Sequence, residues 1–268
     1  MAVWIKSFTN HSQKLVAMNQ NNHSDVINRQ REFYNVKYSI WRRLAAVDYF
    51  WEHLAREIIH SLRIQSNKVY LSIGVGDGHL TEYIARSTHA TIIGIDVSDY
   101  SIQLCKRNKS TTTAYLCADA QRLPFKDDCF DGIIAPAVLH HLSDTSITFH
   151  EFKRVLINNE RVFSIDPRDY FLRRPFNWII NKLISEDEVQ FRNGYLEHHY
   201  TQAGFRIVST KPIYLFAPIF VPLLKRCRFT MPLWLFSLIL KVDVLLARSF
   251  LRSLSWVVTI VARLEDKG

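Results

Sequence analysis

The chain has 268 residues, 48% of them hydrophobic, and a formal net charge of +9. That length suits one α/β domain with accessory segments, and the apolar content supports a substantial core. No internal repeat is visible, and Cys105, Cys117, Cys129 and Cys227 lack Cys-x-x-Cys spacing. Structural zinc and a disulfide framework are therefore disfavoured, and buried thiols in a reducing compartment are expected, with Cys117 and Cys129 in or beside strands. No N-terminal run pairs basic residues with a continuous apolar stretch, which argues against a cleaved export signal.

Residues 1–30 are polar, with Asn19-Gln20-Asn21-Asn22-His23 near the middle, and read as a loose arm. Residues 31–66 read as an N-terminal helical segment, with Trp41, Leu44, Ala45, Phe50 and Leu54 at three- and four-residue steps. Val69-Tyr70-Leu71-Ser72-Ile73 is a buried-strand pattern that runs straight into Gly74-Val75-Gly76-Asp77-Gly78. Glycines there permit a tight turn and close approach of backbone to a ligand. A crossover helix opens at Leu80, and a second strand, Thr91-Ile92-Ile93-Gly94-Ile95, ends on Asp96. An acid about 20 residues beyond such a turn is a device for holding ribose hydroxyls. An ordinary strand–turn–helix connection is the alternative.

A second helix carries Ser101 to Cys105, and a third short strand leads through Cys117 to Asp119-Ala120. Leu123-Pro124-Phe125 forms a turn, and a fourth strand starts at Phe130 and leads to Val138-Leu139-His140-His141. Phe149 to Leu156 reads as the helix before a fifth strand, Val162 to Ile165, which ends on Asp166. The alternation of strand and helix indicates a parallel sheet covered on both faces.

These motifs, in this order, resemble those of class I S-adenosylmethionine-dependent methyltransferases, and most closely the branch of ubiquinone/menaquinone-type and small-molecule enzymes. The resemblance covers about Asn67 to Asp166 well and continues more loosely to the C-terminus. It implies a Rossmann-like seven-stranded α/β sheet, mostly parallel with the last strand antiparallel, and S-adenosyl-L-methionine as cofactor. It further implies that Gly74, Gly76 and Gly78 pass beneath the methionine moiety and that Asp96 accepts both ribose hydroxyls. Asp119 and Ala120 would meet the adenine, and Ala135 and Pro136 would lie near the methionine end. Each aspartate has a plainer alternative as a helix cap or solvated loop residue.

Two positions depart from the pattern. Ser72 stands where the family usually has an acid that helps hold the cofactor's ammonium. Ile157-Asn158-Asn159-Glu160 stands where a Pro-Gly-Gly turn is common, although asparagine tolerates the left-handed conformation such a turn needs.

Activation of a hydroxyl or acidic-carbon acceptor needs a positioned base. His140 and His141 follow strand four at the edge where open α/β sheets bind ligands, and Asp166 ends strand five beside them. They are the catalytic candidates, with a structural or cofactor-shielding role for the histidines as the alternative. His198 and His199 read as surface or packing residues. No cluster has metal-ligand spacing, so no metal is expected.

Tyr195 to Ala203 reads as a helix closed by Gly204, Phe205 to Val208 as strand six, and Trp256 to Ala262 as the last strand. Residues 212–254 form an apolar insertion inside the methyltransferase region 67–268. Pro222, the basic knot Lys225-Arg226-Cys227-Arg228, and Lys241 and Asp243 interrupt it before any run reaches the ~20 apolar residues of a spanning helix. Lys225, Arg226, Arg228, Lys241, Arg248 and Arg252 interleave with Trp, Phe and Leu, as in a segment lying on an anionic membrane surface. A helical cap with a basic solvent face fits equally, and a nucleic-acid surface fits less well.

The reading is thus a methyltransferase acting on a small, hydrophobic or lipid-linked acceptor by O- or C-methylation. Isoprenoids, lipids and lipid-linked glycans are the expected acceptor classes. The expected setting is the cytoplasm, at the inner face of a membrane where the insertion makes contact. A non-catalytic methyltransferase-like module and a nicotinamide-dependent oxidoreductase are the alternatives.

Overall fold

The computed structural model describes residues 45–169, 194–215, 231–255 and 257–267, together with 28, 31–32, 191–192 and 217. The polar arm, most of residues 31–44 and the basic knot at 225–228 lie outside the described residues, as do the bulk of the loop after Asp169, Cys227 and Trp256.

In chain order the elements are α1 (Ala45–Leu62), β1 (Val69–Ile73), α2 (His79–Thr88), β2 (Thr91–Asp96), α3 (Asp99–Asn108), β3 (Thr113–Cys117) and β4 (Phe130–Pro136). There follow a 3-10 turn at Leu139–His141, α4 (Thr145–Val155), β5 (Leu156–Asp169), β6 (Phe191–Arg192), α5 (Tyr195–Gln202) and β7 (Phe205–Tyr214). Then come α6 (Leu233–Arg248), a second 3-10 turn (Phe250–Leu254) and β8 (Val257–Leu264). The main sheet runs β3-β2-β1-β4-β5-β8-β7. β1 to β5 pair in parallel, while β8 is antiparallel to both of its neighbours. This is the seven-stranded sheet expected from the sequence, with two residues of β6 added beside the end of β5.

Strand alternation splits the core in two, because successive side chains point to opposite faces. Tyr70, Ile92, Ile134, Phe163 and Val261 pack beneath α1, α2 and α6. Leu71, Ile95, Ile133, Val162 and Ile260 pack on the other face with Phe149 and Phe152 of α4 and Tyr200 of α5. α1 is a packing helix along its described length, with Leu54, Ala55, Ile58 and Leu62 buried. Its Tyr49 hydroxyl bonds Ser237 at 2.6 Å, and His53 Nδ1 lies 3.0 Å from the Tyr214 hydroxyl.

Helix starts follow local capping chemistry. Ser98 accepts the Ser101 N–H at 3.1 Å at the start of α3, and Asp144 accepts from Ser146 and Ile147 at the start of α4. Asp77 Oδ1 accepts the His79 N–H at 3.1 Å as the chain enters α2.

Three sequence expectations need adjustment. β5 starts at Leu156, so residues 157–160 are an irregularity within the strand rather than a turn before it; pairing jumps from Phe130–Leu156 to Gly132–Arg161, and Asn159 takes φ 66°. β7 runs on past Val208 to Tyr214 because β8 offers it a partner along that whole length. Among the described residues, Cys105 alone is a fully buried thiol; Cys117, at the end of β3, and Cys129, just before β4, are half-buried.

The insertion leaves the sheet at the end of β7 and returns at the start of β8. Val257 pairs with both Tyr214 and Pro167, so both junctions sit beside the end of β5. Inside α6, Asp243 is buried and its Oδ2 accepts the N–H groups of Leu215 and Ala217 at 3.1 Å each. Among the described residues, no helix is long and apolar enough to cross a membrane.

Candidate active site

The carboxyl ends of β1, β2, β4 and β5 converge on one edge of the sheet, and the chemistry-bearing residues gather there. Gly74, Gly76 and Gly78 all have positive φ, at 65°, 55° and 80°. The turn folds back onto β2, since Gly74 N and Val75 N both donate to Ile95 O, at 2.8 and 3.1 Å. A Cβ on Gly74 would lie 2.7 Å from Val138 Cγ2, and one on Gly78 would lie 2.9 Å from Cys105 Sγ. Gly74 and Gly78 are therefore required by both conformation and space, and Gly76 by conformation.

Asp96 completes this turn. Its Oδ2 accepts the Gly76 N–H and its Oδ1 the Ser98 N–H, both at 2.9 Å. Each oxygen keeps acceptor capacity beyond that single bond, which two vicinal hydroxyls can use. Burial raises its pKa to about 6, against the pull of backbone N–H groups from Ser98, Gly76 and Val97. Arg31 Nε donates to the carbonyl of the next residue, Val97, at 3.0 Å, so the segment before α1 reaches the rim of this site. Sequence reading had assigned no role to Arg31.

Asp119 Oδ1 accepts the Gln121 N–H at 2.9 Å, which fixes the turn after β3, and Ala120 is buried behind it. Gln121 in turn exchanges hydrogen bonds with Ser143, both at 3.1 Å. Ala135 and Pro136 end β4 and are buried. Ser72 is 1% exposed and its hydroxyl pairs with Thr81 Oγ1 at 3.1 Å, so it ties β1 to α2.

Beyond β4 the chain reverses sharply. Ala137, at φ 52°, donates its N–H to Ile165 O at 2.7 Å, and this brings His140 over the end of β5. His140 Nδ1 lies 2.8 Å from Asp166 Oδ1, and the same oxygen accepts the His140 N–H at 3.2 Å. Both residues are buried, and Asp166 Oδ2 has no partner among the described residues. Burial pushes the Asp166 pKa up, opposed by its bonds to His140. The His141 ring lies against His140, tilted by 46° with centroids 3.9 Å apart. The three catalytic candidates thus meet, with Asp166 orienting His140 through Nδ1 and His141 alongside. His198 is exposed and His199 packs on Tyr195, away from this group. Among the described residues, no cluster of three metal-ligating side chains forms.

A further residue holds the site from behind. Glu82 of α2, buried, accepts from the Tyr115 hydroxyl at 2.8 Å, the Thr113 hydroxyl at 2.6 Å and the Ser110 N–H at 3.0 Å. It fixes Tyr115, whose ring lies where a Cβ on Gly94 would go and whose hydroxyl sits against Gly78. Its place on the buried face of an amphipathic helix was the only sequence signal.

Residues 71–164 match the family model described as "Methyltransferase domain". The chain is 28% identical over 130 residues to methyltransferase GfsG of Streptomyces halstedii, covering 46% of this chain and 47% of that protein. It is 26% identical over 122 residues to sterol 24-C-methyltransferase erg6 of Aspergillus fumigatus, covering 42% and 32% respectively. The chain thus spans about half the length, or less, of these curated relatives. In fold it is similar to the crystal structure of a putative sarcosine dimethylglycine methyltransferase from Galdieria sulphuraria, with a TM-score of 0.61 at 16% identity, covering 81% of this chain and 86% of that one. The glycine turn, with no room for side chains, and the spare acceptor capacity of Asp96 fit an adenosyl cofactor. Over residues 71–164 the chain is thus similar to class I S-adenosylmethionine-dependent methyltransferases, and the cofactor is S-adenosyl-L-methionine.

Proposed function

We propose that this protein methylates a small hydrophobic or lipid-linked acceptor at oxygen or carbon. The observation that carries the reading is the Gly74–Gly78 turn locked to Asp96, in a segment that matches a methyltransferase domain. Asp96 would hold the ribose hydroxyls, Asp119 and Ala120 the adenine, and the backbone at Ala135 and Pro136 the methionine end. When bound, the cofactor supplies an electrophilic methyl group on a sulfonium. The protein's task is then alignment and proton removal.

His140 is assigned as the base. With its Nδ1 proton donated to Asp166 Oδ1, its Nε2 is the basic nitrogen, and the acceptor's proton moves to it. Asp166 is a positioning residue, which fixes the ring and stabilises the imidazolium that forms. His141 packs the outer side of that ring.

The insertion supports a hydrophobic acceptor held at a membrane. The outward side of α6 carries Trp234, Leu238, Val242 and Leu245, with Trp234 and Leu245 each 70% exposed and Phe250 beyond the helix 88% exposed. Lys241, Arg248 and Arg252 are the exposed charges among them, while the helix's one acid, Asp243, points inward. An apolar stripe bordered by these cations, with Glu57 beside Arg248 as the neighbouring acid, suits an anionic lipid surface. Because α6 is spliced into the sheet beside the end of β5, such a surface would present acceptors to the edge that carries His140 and Asp166.

The test is calorimetric titration with S-adenosylmethionine and S-adenosylhomocysteine, with NADH as control, followed by transfer of labelled methyl into membrane extracts. Micromolar binding lost in Asp96→Ala, with label entering an extractable lipid, is the expected result. Absence of binding to either adenosyl compound would sink the reading. Ser72 supplies no carboxylate for a cofactor ammonium, which favours a binding module as the second reading; binding without turnover on any extract would select it.

A further inference from the structure

At the opposite pole from the cleft, three arginines stand in one row across the sheet. Arg161 of β5 is the register partner of Arg263 of β8, and Arg263 is the partner of Arg206 of β7. Directly opposed residues on neighbouring strands share a face, and like charges in that relation destabilise the pair. Arg161 and Arg263 also line a cleft of about 270 Å³ at the end of α1, together with Arg63, Lys68, Tyr70 and Glu160.

The charge there is not balanced from within. Lys68 is taken by Glu160 and Asp131. Among the described residues, no carboxylate pairs with Arg63, Arg161 or Arg263. Arg161 donates one N–H to the Ser61 carbonyl at 2.9 Å, and Arg263 Nε is buried without an acceptor. Burial and the nearby charges of Arg63 and Arg263 draw the Arg161 pKa below its ordinary value. Three guanidinium groups without a carboxylate partner among the described residues, around one cleft and with an idle buried donor, describe a site suited to an anion.

We propose that this cleft binds a phosphate-type dianion, carried by free phosphate or diphosphate or by a soluble phosphomonoester. Guanidinium groups offer the paired donors that match phosphate oxygens, and three around one cleft exceed what a monovalent anion needs. The site uses none of the cleft-edge residues and stands whether or not the methyltransferase reading holds.

Thermal denaturation of the full chain tests it, with adenosylhomocysteine present to occupy the glycine turn. At constant ionic strength, chloride is replaced stepwise by phosphate, diphosphate or glycerol phosphate. A saturable rise in Tm is expected, of a few degrees at saturation, because a ligand that binds only the folded state stabilises it by mass action. Both Arg161→Gln and Arg263→Gln should abolish the rise; Arg263→Gln should melt no lower than the parent in chloride, since it relieves a like-charge pair, and Arg161→Gln should lose at most its one bond to Ser61. Arg206→Gln, in the same row but outside the cleft, should keep it. The relative size of the three responses assigns the ligand to free phosphate, diphosphate or monoester. The proposal is overturned if no phosphate compound exceeds chloride, or if both glutamine variants respond fully. It is equally overturned if they melt well below the parent in chloride, which would make the arginines structural.

Discussion

Gly74→Ala isolates the requirement that most defines the cofactor turn. At φ 65° an alanine incurs the left-handed penalty of about 1–2 kcal/mol. Its Cβ would also stand 2.7 Å from Val138 Cγ2 and 3.0 Å from Val138 Cβ, well inside ordinary carbon contact. Overpacking of that kind costs about 1–3 kcal/mol. A total loss of about 2–5 kcal/mol follows, and the two parts can be separated by removing the obstacle. Val138→Ala alone should cost about 1 kcal/mol, since the side chain is only partly buried. The double variant should be more stable than additivity predicts by about 1–3 kcal/mol, which is the steric share, while the conformational share persists. Urea denaturation of all four proteins closes the cycle, and titration with adenosylhomocysteine reports the turn itself. A Gly74→Ala protein as stable as the parent would refute the argument, and strict additivity would refute the assignment to Val138.

Four further outcomes are expected. Cofactor affinity should fall as pH drops through about 6, because ribose hydroxyls donate to the ionised Asp96; its fold-raised pKa means its contribution to stability is full below about pH 4 and declines as pH rises towards 6. Calorimetry from pH 5 to 8 would show this, and a flat profile would count against the ribose assignment. His140→Ala should lower kcat about 10²–10³-fold with cofactor affinity intact, while Asp166→Asn should lower kcat and change its pH profile, as expected of an orienting group. Glu82→Ala should cost about 3 kcal/mol in denaturant midpoint terms by stranding three donors, and no measurable loss would show that they find other partners. Trp234→Ser with Leu245→Ser should abolish sedimentation with phosphatidylglycerol vesicles, whereas Ile147→Ser, exposed on α4, should leave it unchanged.

The glycine turn and its tie to Asp96 were legible because they are local. Glycines at 74, 76 and 78 and an acid at the end of the next strand depend on short-range turns, which a sequence displays directly. His140 and Asp166 were each visible as a residue following or ending a strand. Their contact depends on Ala137 adopting positive φ and bonding Ile165, which nothing in the residue names announces. Ser72 read as a cofactor residue from its place near the end of β1, while its bond to Thr81, nine positions on, becomes visible only once α2 packs on β1. Arg31 and the arginine row were illegible for a different reason. Arg31 meets Val97 across 66 residues, and Arg161 meets Arg263 only once β8 has chosen its register. Pairing registers are decided by whole strands, and no single side chain encodes them.

Asp243 gives the insertion an orientation that its hydrophobicity does not. α6 has apolar residues on all sides, with Phe236, Leu240 and Val244 inside and Trp234, Leu238 and Leu245 outside, so burial alone would discriminate weakly among rotations about its axis. A carboxylate engaged by the Leu215 and Ala217 amides breaks that degeneracy. Turning the helix by one residue, about 100°, would strand those amides and carry the acid away from its donors. The helix is thereby keyed like a shaft in a slotted collar, and the outward aromatic and cationic side chains inherit one fixed bearing.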